Sequence, residues 1–529
     1  MSRTAKVPEI PFIGTLQRDA GPLSRQLVQA MRDAVARGDL KPGEALPPTR
    51  ALAEALGVSR GTVVEAFEQL VAEGIFAAQH GAGTRVASAL ASPRDQPGAR
   101  QIGRHSEPPV GGSERKNVPL PPSAQAFAAI AREFTALPPV PFAVSVPAGA
   151  AAPNDAWRKL GNRLRAGGSA APRGYGEPQG VLPLREAIAD YLRRSRSVRC
   201  DASQVVITTG TQQGLFLSCQ VLFDRADAVW VENPAYRGIT AILESIGPRE
   251  RIVRVPVDAE GIDVDTGIAL APHARAAFVT PSHQYPLGMP LSMARRKALL
   301  AWAEASRAWV VEDDYDSELR YAGHPFPSLQ GLAPERVVYL GTFSKILYPS
   351  LRLGYAVVPD ALVDAYCGAR ILMDRHPPTA DQHVLAAFID EGHLDRHIRR
   401  VRGVHAERRA FVIDAIQRVI PAELAWLQPS DQGMHLVLWL APGIDDRQVV
   451  ARAVEAGVAV RAVSPMYVDG NGPAGLILGF GGFTDREIEQ AAQGVGRSIE
   501  AAAKQPSHSP HPNNDLISSA PMRSKSSGT

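Results

Sequence analysis

Between residues 205 and 341, short apolar runs of β type recur, each closed by turn residues and followed by an amphipathic stretch. Val205–Thr208, Ala228–Val231, Ala277–Thr280, Trp309–Glu312 and Val337–Gly341 are such runs, and Gln213–Phe223 and Arg295–Ala305 are helical patterns that follow. Strands alternating with helices predict an α/β layer on a largely parallel sheet, because each crossover lays a helix on a sheet face. Ligands of such sheets bind beyond the carboxyl ends of the strands, so the residues just after each run are the first candidates for chemistry.

That pattern does not account for the whole chain. At 529 residues more than one domain is expected, and the composition shifts three times. Residues 1–87 hold short amphipathic runs punctuated by Gly and Pro. Residues 88–122 are rich in Pro, Gly, Ser and mixed charge without apolar period, which predicts a flexible linker. Residues 123–504 carry the alternation, and 505–529 form a polar tail with little to bury. The expected fold is therefore α+β and multidomain. Hydrophobic residues at 45% and charged ones at 21% exclude wholesale disorder. A net charge of +3, from 57 Lys+Arg against 54 Asp+Glu, is too small to argue for nucleic acid by bulk electrostatics. Cys200, Cys219 and Cys367 lack CxxC spacing, so neither a disulfide framework nor a zinc cluster is expected, and a reducing cytoplasm suits the chain. No apolar run approaches the length of a membrane span.

In the first region Leu23, Leu27, Met31 and Val35 recur at helical spacing and stop at Gly38. Leu52, Ala53 and Leu56 then stripe a short helix, Gly57 makes a sharp turn, and Ser59 is a natural N-cap for a helix burying Val63, Phe67 and Leu70. Two short helices around a glycine form a helix-turn-helix pattern whose second helix would present Arg60, Gly61 and Thr62 to a major groove. IFAAQHGAGTRVA reads as a hairpin wing with His80 and Arg85 near the backbone or minor groove. A small helical oligomerisation module would show the same pattern. Charge does not choose between them, since residues 22–87 contain seven Lys/Arg and seven Asp/Glu. DNA affinity would rest on a few placed arginines.

In the larger region only Lys297 and Lys345 occur between residues 160 and 500, amid many arginines. Arginine cannot form a Schiff base, so a retained lysine after a strand suggests that an amine is needed. A surface lysine is the plainer reading, and context decides. In GTFSKILYPSLRLGY the hydroxyls of Thr342 and Ser344 and the guanidinium of Arg352 surround Lys345, which suits a phosphate-bearing aldehyde. TTGTQQG offers a second phosphate element, with Thr211 and Gln212 opening a helix. VVEDDYDSELRY places carboxylates at a strand end, where one could pair with a pyridine nitrogen and a tyrosine could bond a ring oxygen; a solvated acidic loop would look alike. Tyr236 in VENPAYRG could stack on a flat ring. Together these converge on pyridoxal 5'-phosphate.

The motifs LPPTRALAEALGVSRGTVVEAFEQLVAEG and QHGAGT resemble the winged helix-turn-helix of the GntR superfamily. That resemblance implies Arg50, Ser59, Arg60, Thr62, His80 and Gly81 as DNA contacts; Gly61 departs from a position that is often polar. YGEPQG, VITTGTQQG, VENPAYRG, PSHQYPLG, VEDDYDSELRY and TFSKILYPSLRLGY are similar to fold-type I aminotransferases, and the fusion resembles the MocR family of regulators. By resemblance Lys345 is the Schiff-base lysine, Asp313 the partner of the pyridine nitrogen, and Tyr315 the donor to the ring oxygen. Tyr236 would stack on the ring, while Thr211, Gln212, Thr342 and Arg352 would hold phosphate. Tyr175 would reach a phosphate across a homodimer interface.

Two departures bear on function. Tyr285 stands where many aminotransferases have an asparagine, with His283 and Gln284 beside it. Ile477, in LILGF, stands near where enzymes of this class carry the arginine that clamps the substrate carboxylate. Arg375 and Arg461 are possible substitutes that spacing alone does not support. The expected function is a promoter-binding regulator sensing an amino compound or pyridoxal 5'-phosphate itself, as in the PdxR branch; Ile477 tilts toward the second. A working aminotransferase with a dormant DNA head is the rival, and residual transamination is compatible with either.

Overall fold

The computed structural model describes residues 16–17, 21–79, 83–87, 119–134, 140–146, 154–168, 174–324, 326–470 and 472–504. They form two compact units that divide between Asn117 and Val118. The linker and tail expected from composition lie almost wholly outside the described residues. Pro122, the last residue assigned to the linker, instead opens a helix, Pro122–Glu133, a position where proline's missing N–H costs nothing.

The first unit contains α1 (Leu23–Arg37), α2 (Thr49–Leu56), α3 (Arg60–Ala72), β1 (Phe76–Gln79) and β2 (Gly83–Val86). Gly38 (φ 82°) and Gly57 (φ 64°) close α1 and α2 in the left-handed conformation that glycine adopts without Cβ strain. Ser59 caps α3 by accepting the Thr62 N–H at 3.1 Å. Leu27, Met31, Leu52, Val63, Phe67, Leu70 and Phe76 make one core. β1 and β2 pair antiparallel, from Phe76 opposite Val86 to Gln79 opposite Gly83.

In the second unit eight strands form one sheet: β3 (Val205–Thr208), β4 (Val229–Asn233), β5 (Ile252–Asp258), β6 (Gly261–Ile262), β7 (Ala276–Val279), β8 (Trp309–Asp314), β9 (Val337–Thr342) and β10 (Gly354–Val357). Their spatial order is β3-β10-β9-β8-β7-β4-β5-β6. The run from β9 to β5 is parallel, while β10 runs antiparallel to both neighbours. Sequence alternation thus anticipates the parallel centre but not the reversed β10, which follows β9 too closely for a helical crossover. Fully buried runs such as Val310–Val311 and Val337–Leu340 fit strands covered on both faces.

A second, antiparallel sheet joins β11 (Ala425–Leu427), β12 (His435–Leu440), β13 (Arg461–Ala462) and β14 (Gly475–Gly479) in the order β11-β12-β14-β13. It has its own core around Leu436, Leu438, Leu476, Leu478 and Phe480. A smaller cluster joins Val257 and Leu287, from β5 and the loop after β7, to Val437 and Ile477 of this sheet. That cluster brings β13 toward the carboxyl ends of the parallel strands.

Candidate functional site

At those carboxyl ends lies a cavity of about 420 Å³ lined by Thr211, Tyr236, Thr280, Tyr285, Asp313, Tyr315, Lys345 and Arg461, among others. Five of the residues expected to hold the cofactor, Thr211, Tyr236, Asp313, Tyr315 and Lys345, thus meet there, with Tyr285 and Arg461 beside them. Lys345 follows β9, and burial lowers its amine pKa, while Asp316 and Asp313 oppose that shift. Asp313, next to last in β8, is buried; desolvation first, then the charge of Asp314, push its carboxyl up to about 7. Its Oδ1 is enclosed with no hydrogen-bond partner, an arrangement that costs stability until a donor arrives.

The helix Thr211–Val221 begins at Gly210 (φ 112°) with no side chain capping its first N–H groups, which leaves a terminus suited to an anion. A Cβ on Gly210 would stand 3.3 Å from Arg352 Nη2, so the guanidinium lies against this turn. The Tyr236 hydroxyl donates to Gln212 Oε1 at 3.0 Å, fixing a ring that also meets Tyr285 edge-on. Gly238 allows that approach: a Cβ there would lie 2.1 Å from the Tyr236 ring. Thr342 is buried, and its Oγ1 accepts the Ser344 N–H at 3.2 Å. Ser344 Oγ is enclosed without a partner.

Tyr175 stands apart from the cavity, 79% exposed, with Arg375 stacked over its ring at 4.5 Å. Ile477 is fully buried in the cluster joining the two sheets. Directly opposite it, in register across β13 and β14, is Arg461, which lines the cavity. The cation missing at 477 is therefore present one strand over. Thr280, Asp316 and His435 escaped the sequence reading. Thr280 and Asp316 carry the weak signal of polar residues at strand ends; His435 is the first residue of an otherwise apolar strand.

In the first unit Arg50, Ser59, Arg60 and Gly61 are exposed at the helix-turn-helix, and Thr62 is half-buried. The Ser59 and Thr62 hydroxyls bond each other at 2.9 Å, so Thr62 is engaged within the cap. Arg85 donates to the Gly43 carbonyl at 3.1 Å, tying the base of the wing rather than projecting freely. His80 and Gly81 lie outside the described residues.

A capped helix-turn-helix with a wing, and a mixed sheet with a lysine, an acid and a helix N-terminus at its strand ends, define a fusion of two protein classes. Residues 23–86 match the model of bacterial regulatory proteins of the gntR family, and residues 140–495 match aminotransferase class I and II. The chain belongs to the MocR family, which joins these two domains. It is 36% identical to the probable rhizopine catabolism regulatory protein MocR of Rhizobium meliloti, over 90% of this chain and 93% of that one. It is 34% identical to the pyridoxine biosynthesis transcriptional regulator PdxR of Corynebacterium glutamicum, over 86% and 91%. Among solved structures, the alpha-aminoadipate aminotransferase LysN of Thermus thermophilus, complexed with N-(5'-phosphopyridoxyl)-L-leucine, matches with TM-score 0.63 and 30% identity, over 69% of this chain and 92% of that one.

Proposed function

We propose that this chain binds promoter DNA through α2, α3 and the wing, and that its second unit holds pyridoxal 5'-phosphate on Lys345 to sense a small amine. The observation that carries this reading is the meeting of Lys345, Asp313, Tyr315, Tyr236 and Thr211 in one cavity, in a chain that also has an exposed, capped recognition helix. The cavity's chemistry fits the cofactor. An enclosed, unpartnered Asp313 oxygen suits a pyridine N–H, and the open helix terminus beside Arg352 suits a phosphate. The cofactor supplies an aldehyde carbon and an electron-withdrawing ring; the residues supply placement. Desolvation keeps a larger fraction of Lys345 unprotonated and nucleophilic. Asp313 holds a proton at the ring nitrogen, Tyr315 donates to the ring oxygen, and Tyr236 packs on the ring face. Thr342, Gln212 and Arg352 complete the phosphate cradle. Tyr175, exposed in one chain, reaches the phosphate of a second copy in a homodimer.

The effector is a carboxylate-bearing amine. Arg461 supplies the cation that Ile477 lacks, which moves the balance away from pyridoxal 5'-phosphate as sole signal. The same arginine supports a second reading, a working aminotransferase, because it is what a substrate carboxylate would need. Operator binding separates the two. In the regulator, Arg60→Ala weakens binding to the DNA upstream of the gene while the cofactor's absorbance stays unchanged. A wild-type chain with normal cofactor absorbance and no DNA binding would leave the enzyme.

A further inference from the structure

Behind the cavity lies a polar cluster that the reading above does not use. His283, in the loop after β7, is 2% exposed, and Asp316, just beyond β8, is 1% exposed. The imidazole Nδ1 stands 3.0 Å from Asp316 Oδ2 and 3.1 Å from the Tyr315 hydroxyl oxygen. That hydroxyl in turn donates to the His283 carbonyl at 3.0 Å. Hydrogen bookkeeping then sets the tautomer. An ionised Asp316 can only accept, which places the hydrogen on Nδ1. The Asp316 carboxylate oxygen and the Tyr315 oxygen both accept from it, which leaves the Tyr315 hydroxyl proton free to turn from the His283 carbonyl to the ring oxygen of a bound cofactor.

The backbone is shaped around this ring. Gly433 (φ 81°) and Gly288 (φ 86°) hold left-handed conformations, and a Cβ on Gly433 would fall 1.9 Å from His283 Cε1. One on Gly288 would fall 3.1 Å from Nε2. His435, whose Nε2 lies 2.9 Å from the Pro286 carbonyl, packs at 4.8 Å between ring centroids. Three separate segments thus hold one imidazole against the hydroxyl of a cavity tyrosine.

We propose that His283, held by Asp316 and enclosed by Gly288 and Gly433, is a positioning residue that orients the Tyr315 hydroxyl at the cofactor's phenolic oxygen. This rests on the cofactor reading above. The Nδ1–H directed at the tyrosine oxygen polarises its O–H and makes it the stronger donor. A strong donor stabilises the ring oxygen's anionic form and reduces its hold on the proton of the neighbouring nitrogen. Losing that donor raises the pH at which the visible band of the bound cofactor titrates. The other groups facing Tyr315 and Lys345 are Asp313, Asp316, Glu232, Tyr285, His435, Arg352 and Arg461.

The test is a pH titration of the visible band of the full-length, cofactor-loaded protein. His283→Leu should raise the midpoint by about 0.5–1 pH unit, one net hydrogen bond's worth. His283→Asn, which keeps an N–H near Nδ1, should restore the native midpoint, and Tyr315→Phe should shift it at least as far as His283→Leu. Should His283→Leu fail to fold, Asp316→Asn carries the test, with a smaller rise expected. A native midpoint in His283→Leu, or in Asp316→Asn where that variant stands in, together with a shifted one in Tyr315→Phe, overturns the proposal. A visible band that persists in Lys345→Ala overturns the cofactor reading itself, a separate outcome.

Discussion

The two functional regions are built on different scales of sequence. The helix-turn-helix surface comes from one continuous stretch, in which Ser59 caps the helix that carries Arg60 and the glycine turn lies two residues before the cap. The cofactor cavity draws on residues from Phe134 to Arg461, including members of two sheets with separate cores. A surface made by local capping and turn chemistry can be altered one side chain at a time. A cavity made by long-range packing couples its members through burial and charge.

That contrast can be broken at either end. Lys345→Ala should abolish the visible cofactor band outright, read by absorbance after adding pyridoxal 5'-phosphate, while leaving the thermal stability of the first unit unaffected. Arg461→Ala should weaken a carboxylate-bearing amine effector by roughly 10- to 100-fold, the worth of a charge-assisted contact; calorimetry on the loaded protein reads it, and unchanged affinity would return the effector question to the cofactor itself. Arg60→Ala should cost about 1–3 kcal/mol of operator binding in a fluorescence titration, with the absorbance spectrum unmoved. Ser59→Ala should remove about 1 kcal/mol from the first unit's stability, seen as a lower urea midpoint, with no effect on the cofactor.

Proton linkage sharpens the comparison. Burial pushes Asp313, Glu232 and Glu312 each up to about 7, above the ordinary carboxylate range. The folded state therefore binds more protons than the unfolded one between about pH 4 and 7. Stability of the cofactor-free second unit should fall as pH rises through that window. Asp313→Asn should flatten the slope in urea midpoints measured at pH 5 and 7.5. The first unit has no such buried carboxylate among its described residues, and its stability should change little over the same range.

Legibility in the sequence follows the same division. Gly38, Gly57 and Ser59 announce the helix ends of the first unit because caps and left-handed turns demand particular residues. The strand ends bearing Asp313, Tyr315 and Lys345 are readable because continuous apolar runs stop there. The reversed β10 was not readable: its short run, Gly354–Val357, carries no mark of direction. Nor was the place of Arg461, which depends on the register that sets β13 against β14 opposite Ile477. The partners of His283 were not readable either, because Asp316 and His435 reach it from distant segments.

Whether one chain does both jobs is tested most directly by binding to the DNA upstream of its own gene. The measurement is made for wild type and Lys345→Ala, with and without pyridoxal 5'-phosphate and a panel of carboxylate-bearing amines. Both proteins should bind the operator, with affinity that shifts on adding cofactor and amine in wild type only. Operator affinity indifferent to every addition, or shifting equally in Lys345→Ala, would contradict one chain doing both jobs.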